Sequence, residues 1–237
     1  MTLALIFDLD DTLYDQLQAF EYAYYQHFAD SDMGVEALYR RFRAYSDEVF
    51  EATQNGRMTL SEMHVYRITE AVNEFDIALP EKKARAFQQD YEFAQQRIEL
   101  SDTMRNLLST LSTQPIVLGI ITNGEADRQR AKIEALNLTQ WIPESHIYIS
   151  GAHQVSKPNR IIFDKVIEAL ELDPTSTFYV GDNFENDVVG AIDAGWQVVW
   201  FNRRNRPATK EGYQADRYVE REAELVDVIE QIIHAYH

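Results

Sequence analysis

Residues 3–13 read Leu3-Ala4-Leu5-Ile6-Phe7-Asp8-Leu9-Asp10-Asp11-Thr12-Leu13. Five apolar residues in a row predict a short strand buried on both faces. They end abruptly at an aspartate, and a second aspartate follows two positions later. An apolar strand that delivers carboxylates at its C-terminal end is the pattern from which the rest of the chain can be read.

Working outward, similar runs recur at 116–121, 146–149, 177–180 and 197–201, and helical spacing fills 125–136, 161–170 and 185–194. Strand alternating with helix predicts an α/β fold, a Rossmann-like doubly wound parallel sheet covered on both faces. Pro158 suits the first turn of the helix after it, and residues 222–235 form a last amphipathic helix. The rhythm breaks once. No convincing strand lies between Asp8 and Ile116, a far longer gap than a βα unit needs. Residues 17–97 instead repeat helical spacing, with turn signals at Asp32–Gly34, Asn55–Gly56 and Pro80. The expected organisation is a core of residues 1–15 and 98–237, with a four-helix bundle at 16–97 inserted after the first strand.

Composition limits the functional classes. Of the 237 residues, 39 are acidic and 22 basic, for a net charge of −17. Nucleic-acid polymers are usually bound by a basic face, and this balance argues against such a partner. There is no cysteine, which removes disulfides, thiolate metal sites and cysteine nucleophiles. No apolar stretch approaches a membrane span, and the start of the chain is too short and lacks the basic residues of a signal peptide. The expected setting is cytoplasmic, as a monomer or homodimer without a membrane partner.

The polar residues gather at strand ends. Asp8 and Asp10 follow the first strand, Thr122 and Asn123 the second, Lys157 lies beyond the third, and Asp182 and Asp187 follow the fourth. Ligands of open parallel sheets bind in the crevice beyond those ends. Carboxylates that share a crevice repel one another unless a cation joins them. An all-oxygen set without His or Cys suits Mg2+. Thr122 and backbone N–H groups near Asn123–Gly124, at a helix start, would hold phosphate oxygens, and Lys157 would neutralise remaining charge. Phosphoryl transfer requires this kind of positioning and neutralisation.

Four segments carry a family resemblance. Phe7-Asp8-Leu9-Asp10-Asp11-Thr12-Leu13, Ile120-Ile121-Thr122-Asn123-Gly124, Ser156-Lys157-Pro158 and Gly181-Asp182-Asn183-Phe184-Glu185-Asn186-Asp187 resemble, in order, the four signatures of the haloacid-dehalogenase-like superfamily. The resemblance spans the chain and implies roles. Asp8 would be the nucleophile that forms an aspartyl-phosphate, and Asp10 the general acid and then base. Asp8, the backbone carbonyl of Asp10, and Asp182 would hold Mg2+, with Asp187 supporting the metal or orienting Lys157. Thr122, Asn123 and Lys157 would bind the phosphoryl group. Asp11 and Thr12 read as loop-bracing residues, and the six histidines as surface or core. Relatives that cleave carbon–halogen bonds lack the second aspartate, so Asp10 favours phosphate esters.

The inserted bundle resembles the cap of one branch of that superfamily, which covers the site and supplies the leaving-group pocket. Its aromatics (Phe20, Tyr22, Tyr24, Tyr25, Phe28, Tyr39, Phe42, Tyr45 and Phe50) read mostly as bundle core. Asn55-Gly56, Thr59-Leu60, Arg67-Ile68 and Lys157-Pro158-Asn159 are similar to bacterial house-cleaning pyrimidine 5′-nucleotidases, while residues 7–15 are also similar to a flavin mononucleotide phosphatase. The expected partner is a small phosphorylated metabolite: a nucleoside 5′-monophosphate first, with FMN, a sugar phosphate or phosphoglycolate as alternatives. A non-catalytic binding protein on the same scaffold is a further alternative, and Arg57 is a candidate specificity residue.

Overall fold

The computed structural model describes residues 2–236. The residues up to Asp15 together with those from Glu99 onward form one compact unit, and Gln16–Ile98 form another. The first unit opens with β1 (Ala4–Phe7). The second unit follows as α1 (Leu17–His27), α2 (Val35–Glu48), α3 (Phe50–Gln54), α4 (Leu60–Asn73) and α5 (Glu81–Gln95). The chain then returns to the first unit with α6 (Asp102–Leu111), β2 (Val117–Thr122), α7 (Ala126–Ala135), β3 (Ile147–Ile149), α8 (Ser150–His153) and α9 (Arg160–Leu170). It finishes with β4 (Thr177–Gly181), a π-helical turn at Phe184–Val189, α10 (Gly190–Asp193), β5 (Gln197–Phe201), β6 (Arg217–Val219) and α11 (Glu222–Tyr236).

The sheet order is β3-β2-β1-β4-β5-β6, and every pairing is parallel. The chain winds outward from β1 in both directions, so β1 and β4 flank the point where the winding reverses. Register is shared across the centre. Phe7 lies opposite Ile120 on one side and Val180 on the other. From that level β2 runs on to Thr122 and β4 to Gly181, and the Asp8 N–H extends the ladder by donating to Val180 O at 2.8 Å. Residues 4–7 are wholly buried, as an uninterrupted apolar run in a central parallel strand requires. On one face the sheet packs against Ile162, Phe163 and Val166 of α9 and against Trp196.

Three local expectations need correction. A sixth strand escapes the apolar-run criterion because it has three residues and only Val219 is buried. The inserted unit has five helices rather than four: Val49, at φ −100° and ψ 6°, separates α2 from α3, and no glycine or proline marks that break. Asn159, whose side chain accepts from the Ile161 N–H, caps α9, so Pro158 precedes the helix instead of opening its first turn.

The second unit is organised on aromatic rings. Phe20 is fully buried, and its centroid lies 5.0 Å from Phe42, 5.2 Å from Tyr39 and 5.4 Å from Phe87, which joins α1, α2 and α5. Tyr24 and Phe28 are also buried, whereas Tyr22 and Tyr25 are exposed. At the start of α4, Thr59 and Glu62 form a reciprocal capping box. Truncation of Phe20 to alanine removes a ring that no neighbour can replace. Phe20→Ala is expected to cost about 3–5 kcal/mol, measured by urea unfolding of the full chain. A loss below about 1 kcal/mol would mean that the unit is not built on this ring.

Candidate active site

The parallel register turns four sequence-distant loops into neighbours at one rim of the first unit. Asp8 follows β1, Thr122 ends β2, Lys157 precedes α9, and Asp182 and Asp187 follow β4. All five are buried. The Lys157 ammonium stands at the centre. Its Nζ lies 2.6 Å from Asp8 Oδ1, 2.7 Å from Asp187 Oδ1 and 2.6 Å from the Tyr179 hydroxyl. Tyr179 in turn donates to Ile121 O at 2.8 Å, so its own oxygen is free to accept from the lysine.

Asp187 is a brace as much as a charge. Its second oxygen accepts from the Asn183 N–H at 2.9 Å, which closes the loop after β4 onto itself. That closure needs Gly181, because a Cβ there would collide with the Asp187 carboxylate. Asn123 spends both ends of its amide on the Lys157 backbone, donating to O and accepting from N, each at 2.9 Å. Its side chain therefore aligns the lysine loop, which leaves its backbone N–H as the group that can face an anion.

Asp8, Asp182 and Asp187 each offer an oxygen within 4.8 Å of the others. Three buried carboxylates share one buried ammonium, with Arg206 Nη1 3.5 Å from Asp182 at the edge. Charge is unbalanced here, and the titration of the groups reflects it. Burial pushes the Asp8 carboxyl up to about 7; Lys157 opposes that rise, and Asp187 and Asp10 add to it. Burial likewise raises Asp182 well above the usual carboxylate range, against the pull of Arg206. Burial would lower the Lys157 ammonium, but Asp187 and Asp8 outweigh it and hold the group above an ordinary lysine. A compact, all-oxygen, charge-deficient pocket fits a hard divalent cation.

The side chain of Asp10 points elsewhere. Lys132 Nζ lies 2.8 Å from both of its oxygens, Tyr14 donates to Oδ1 at 2.5 Å, and Gln129 Nε2 donates to Oδ2 at 3.2 Å. The same Gln129 amide donates to Thr122 Oγ1 at 2.5 Å. The Asp10 carboxylate is thus outside the acidic trio, and its backbone carbonyl is the atom through which it was expected to meet a metal.

Other sequence candidates have structural settings. Asp11 is buried at φ +57°, a conformation unusual for a residue with a side chain, and it receives a hydrogen bond from Arg204 at 2.9 Å. Arg204 also pairs with Asp15, and Arg203 bridges Asp15 to Glu222. The Thr12 hydroxyl is buried with no hydrogen-bond partner among the described residues. Arg57 is exposed, donates to Asn55, and lines a surface cavity of about 450 Å³ with Glu62, Tyr66 and Arg85.

Sequence reading missed Tyr14, Gln129, Lys132, Tyr179, Arg204 and Arg206. The available signal was the i, i+3 spacing of Gln129 and Lys132, which puts both on one face of α7; nothing comparable marks Tyr179 among strand aromatics.

The haloacid dehalogenase-like hydrolase family model matches residues 5–201. A glyceraldehyde 3-phosphate phosphatase from Pyrococcus furiosus is 31% identical over 54% of this chain and 53% of its own. The pyrimidine 5′-nucleotidase YjjG from Escherichia coli is 37% identical over 38% of this chain and 39% of its own. The chain thus spans about half or less of the length of these two curated relatives. In three dimensions, the HAD-hydrolase YfnB from Bacillus subtilis, solved bound to magnesium, superposes with a TM-score of 0.72 at 22% identity, covering 96% of this chain and 98% of that one. L-2-haloacid dehalogenases are among the other neighbours in fold.

The raised Asp8 acid generates a test. Its pKa is 3.8 as a free side chain and about 7 in the folded protein, so the folded state holds the extra proton between these values. The stabilising contribution is complete below about 4 and is lost as pH rises through about 7. In a chelator, wild-type stability should therefore fall relative to Asp8→Asn by about 1 kcal/mol per pH unit across that range. Urea unfolding of both proteins checks this, and a pH-independent difference would refute the buried acid.

Proposed function

The chain belongs to the haloacid dehalogenase-like hydrolase family, and on that premise we propose that it is a Mg2+-dependent phosphomonoester hydrolase working through a phosphorylated Asp8. The observation that carries this reading is the pairing of two differently placed aspartates. Asp8 is buried against Lys157 among the acidic trio, while Asp10, two residues on, is held apart by Lys132, Gln129 and Tyr14. In this reading Asp8 is the carboxylate that attacks, and Asp10 the one that handles a proton.

In this reading, an Asp8 oxygen attacks phosphorus and the bond from phosphorus to the ester oxygen breaks, while Asp10 gives its proton to that departing oxygen. Water then attacks the phosphorus of the aspartyl-phosphate as Asp10 takes its proton back, which frees Asp8 and releases phosphate. Thr122 Oγ1 and the Lys157 ammonium would hold the phosphoryl oxygens, with the N–H groups of the Asn123–Gly124 turn beside them. Asp8, Asp182 and the Asp10 carbonyl would hold Mg2+, with Asp187 behind them; the ion supplies electrostatic stabilisation of the charge on the transferring group. Asp187 and Tyr179 keep Lys157 in place between the carboxylates.

Asp10 also bears on the choice of reaction. Halide needs no proton to leave, whereas an alkoxide does, and a general acid is worth roughly 10²–10⁴-fold for it. The dehalogenase neighbours share the fold at 17% identity and carry no argument about chemistry. For the substrate, similarity to YjjG and the cap-segment resemblance favour a nucleoside 5′-monophosphate. Similarity to the Pyrococcus enzyme keeps a small sugar phosphate as the second choice.

Wild-type protein should hydrolyse p-nitrophenyl phosphate with magnesium and lose that activity in chelator. Asp8→Asn should abolish turnover with the fold intact; retention of a tenth of the rate would end the covalent reading. Asp10→Asn should lose roughly 10²–10⁴-fold with alkyl esters and less with phenolic ones, and equal losses would remove its acid role. Ranking pyrimidine nucleotides, FMN, glyceraldehyde 3-phosphate and phosphoglycolate by kcat/KM decides the substrate class.

A further inference from the structure

We infer that Lys132, acting with Gln129 one turn earlier on α7, is the positioning residue that sets where the Asp10 carboxylate stands. The inference rests on the phosphatase reading above and adds a part to it. Lys132 occupies a helix whose other basic residues, Arg128 and Arg130, have side chains 38% and 41% exposed, yet its own is only 8% exposed. A lysine that could have reached solvent is instead drawn inward, at a desolvation cost that its partner has to offset. Asp10 is such a partner, with both oxygens 2.8 Å from Nζ.

The contact specifies a position and not only a charge. Lys132 takes both oxygens, Tyr14 takes Oδ1 and Gln129 takes Oδ2, so rotation of the carboxylate about its terminal bond breaks at least one hydrogen bond. Gln129 adds a second constraint. One amide nitrogen serves both Asp10 Oδ2 and Thr122 Oγ1, which ties the proton-handling carboxylate to the hydroxyl assigned to the phosphoryl group. The separation between these two groups decides whether the Asp10 proton can reach the ester oxygen of a phosphoryl group held at Thr122. Proton transfer needs heavy atoms within about 2.6–3.2 Å, and a displacement of about 1 Å can cost on the order of 10²-fold. A purely structural ion pair would tie α7 to the rim without sensitivity to the leaving group, and this difference makes the inference testable.

The experiment compares wild type, Lys132→Met and Lys132→Arg on an alkyl phosphate and on p-nitrophenyl phosphate at saturating magnesium. The parameter kcat/KM reports the steps up to phosphoryl transfer onto Asp8, where the leaving group still matters. Lys132→Met should lower kcat/KM for the alkyl ester by about 10²-fold, through kcat, with KM within about threefold of wild type. Its loss on the phenolic ester should be at least about tenfold smaller. Lys132→Arg, which keeps the cation and its donors, should recover part of the alkyl-ester rate. Gln129→Leu should show the same leaving-group asymmetry and stands in if Lys132→Met does not fold, as judged by circular dichroism. Equal losses on the two esters, a loss carried by KM, or unchanged rates would overturn the positioning role. Absence of magnesium-dependent hydrolysis by the wild type would instead overturn the phosphatase reading, so the two failures are separable.

Discussion

One buried ammonium organises this protein's rim. Lys157 is enclosed by Asp8, Asp187 and the Tyr179 hydroxyl, all within 2.7 Å. A cation so deeply buried is tolerated only where carboxylates meet it, and carboxylates so crowded are tolerated only around a cation. The features nearby follow from meeting both conditions. Gly181 is small because Asp187 must approach, Asn123 commits its amide to the lysine loop, and Tyr179 places a polar tip at the end of an apolar body. Even so the compensation is incomplete: burial still drives Asp8 toward its neutral form. That residual imbalance is the physical reason a divalent ion belongs in the reading of the site.

The parallel sheet is what makes such crowding possible. Residues 8, 122, 157 and 187 are distant in sequence, and each lies at or just beyond the end of a strand or at the start of a helix. Parallel register aligns those ends, so short loops suffice to bring the side chains together. The same register separates two aspartates that are near neighbours in the chain. Asp8 turns toward Lys157, and Asp10 toward Lys132. Two lysines, Lys132 on α7 and Lys157 in the loop before α9, thereby give these two carboxylates different surroundings, which is the circumstance that lets similar groups take different chemical parts.

What could be read in advance was whatever is local. Apolar runs ending in polar residues mark β1 to β5, and their alternation with helices identifies the doubly wound sheet. The residues at those ends could be named from position alone. The partners could not. Lys132 and Gln129 look like members of any helix surface, and only folding turns that face toward Asp10. Tyr179 looks like a core aromatic, since its hydroxyl acquires meaning from Lys157, 22 residues away in sequence. Arg204 meets Asp11 across 193 residues, a pairing that no local pattern encodes. β6 was invisible for the opposite reason: it is an edge strand with too little buried surface to leave an apolar signature.

The central strand comes from a segment separated from its partners by an entire second unit. β1 sits between β2 and β4, yet residues 16–98 are synthesised after β1 and before β2, and β4 later still. The inserted helices have their neighbours close at hand and can assemble while the ribosome is still working. β1 cannot: its uniformly apolar face must wait for strands that do not yet exist. Nascent protein therefore carries an unpaired, water-averse strand for much of its birth, which makes this segment the natural place for chaperone capture or aberrant self-association.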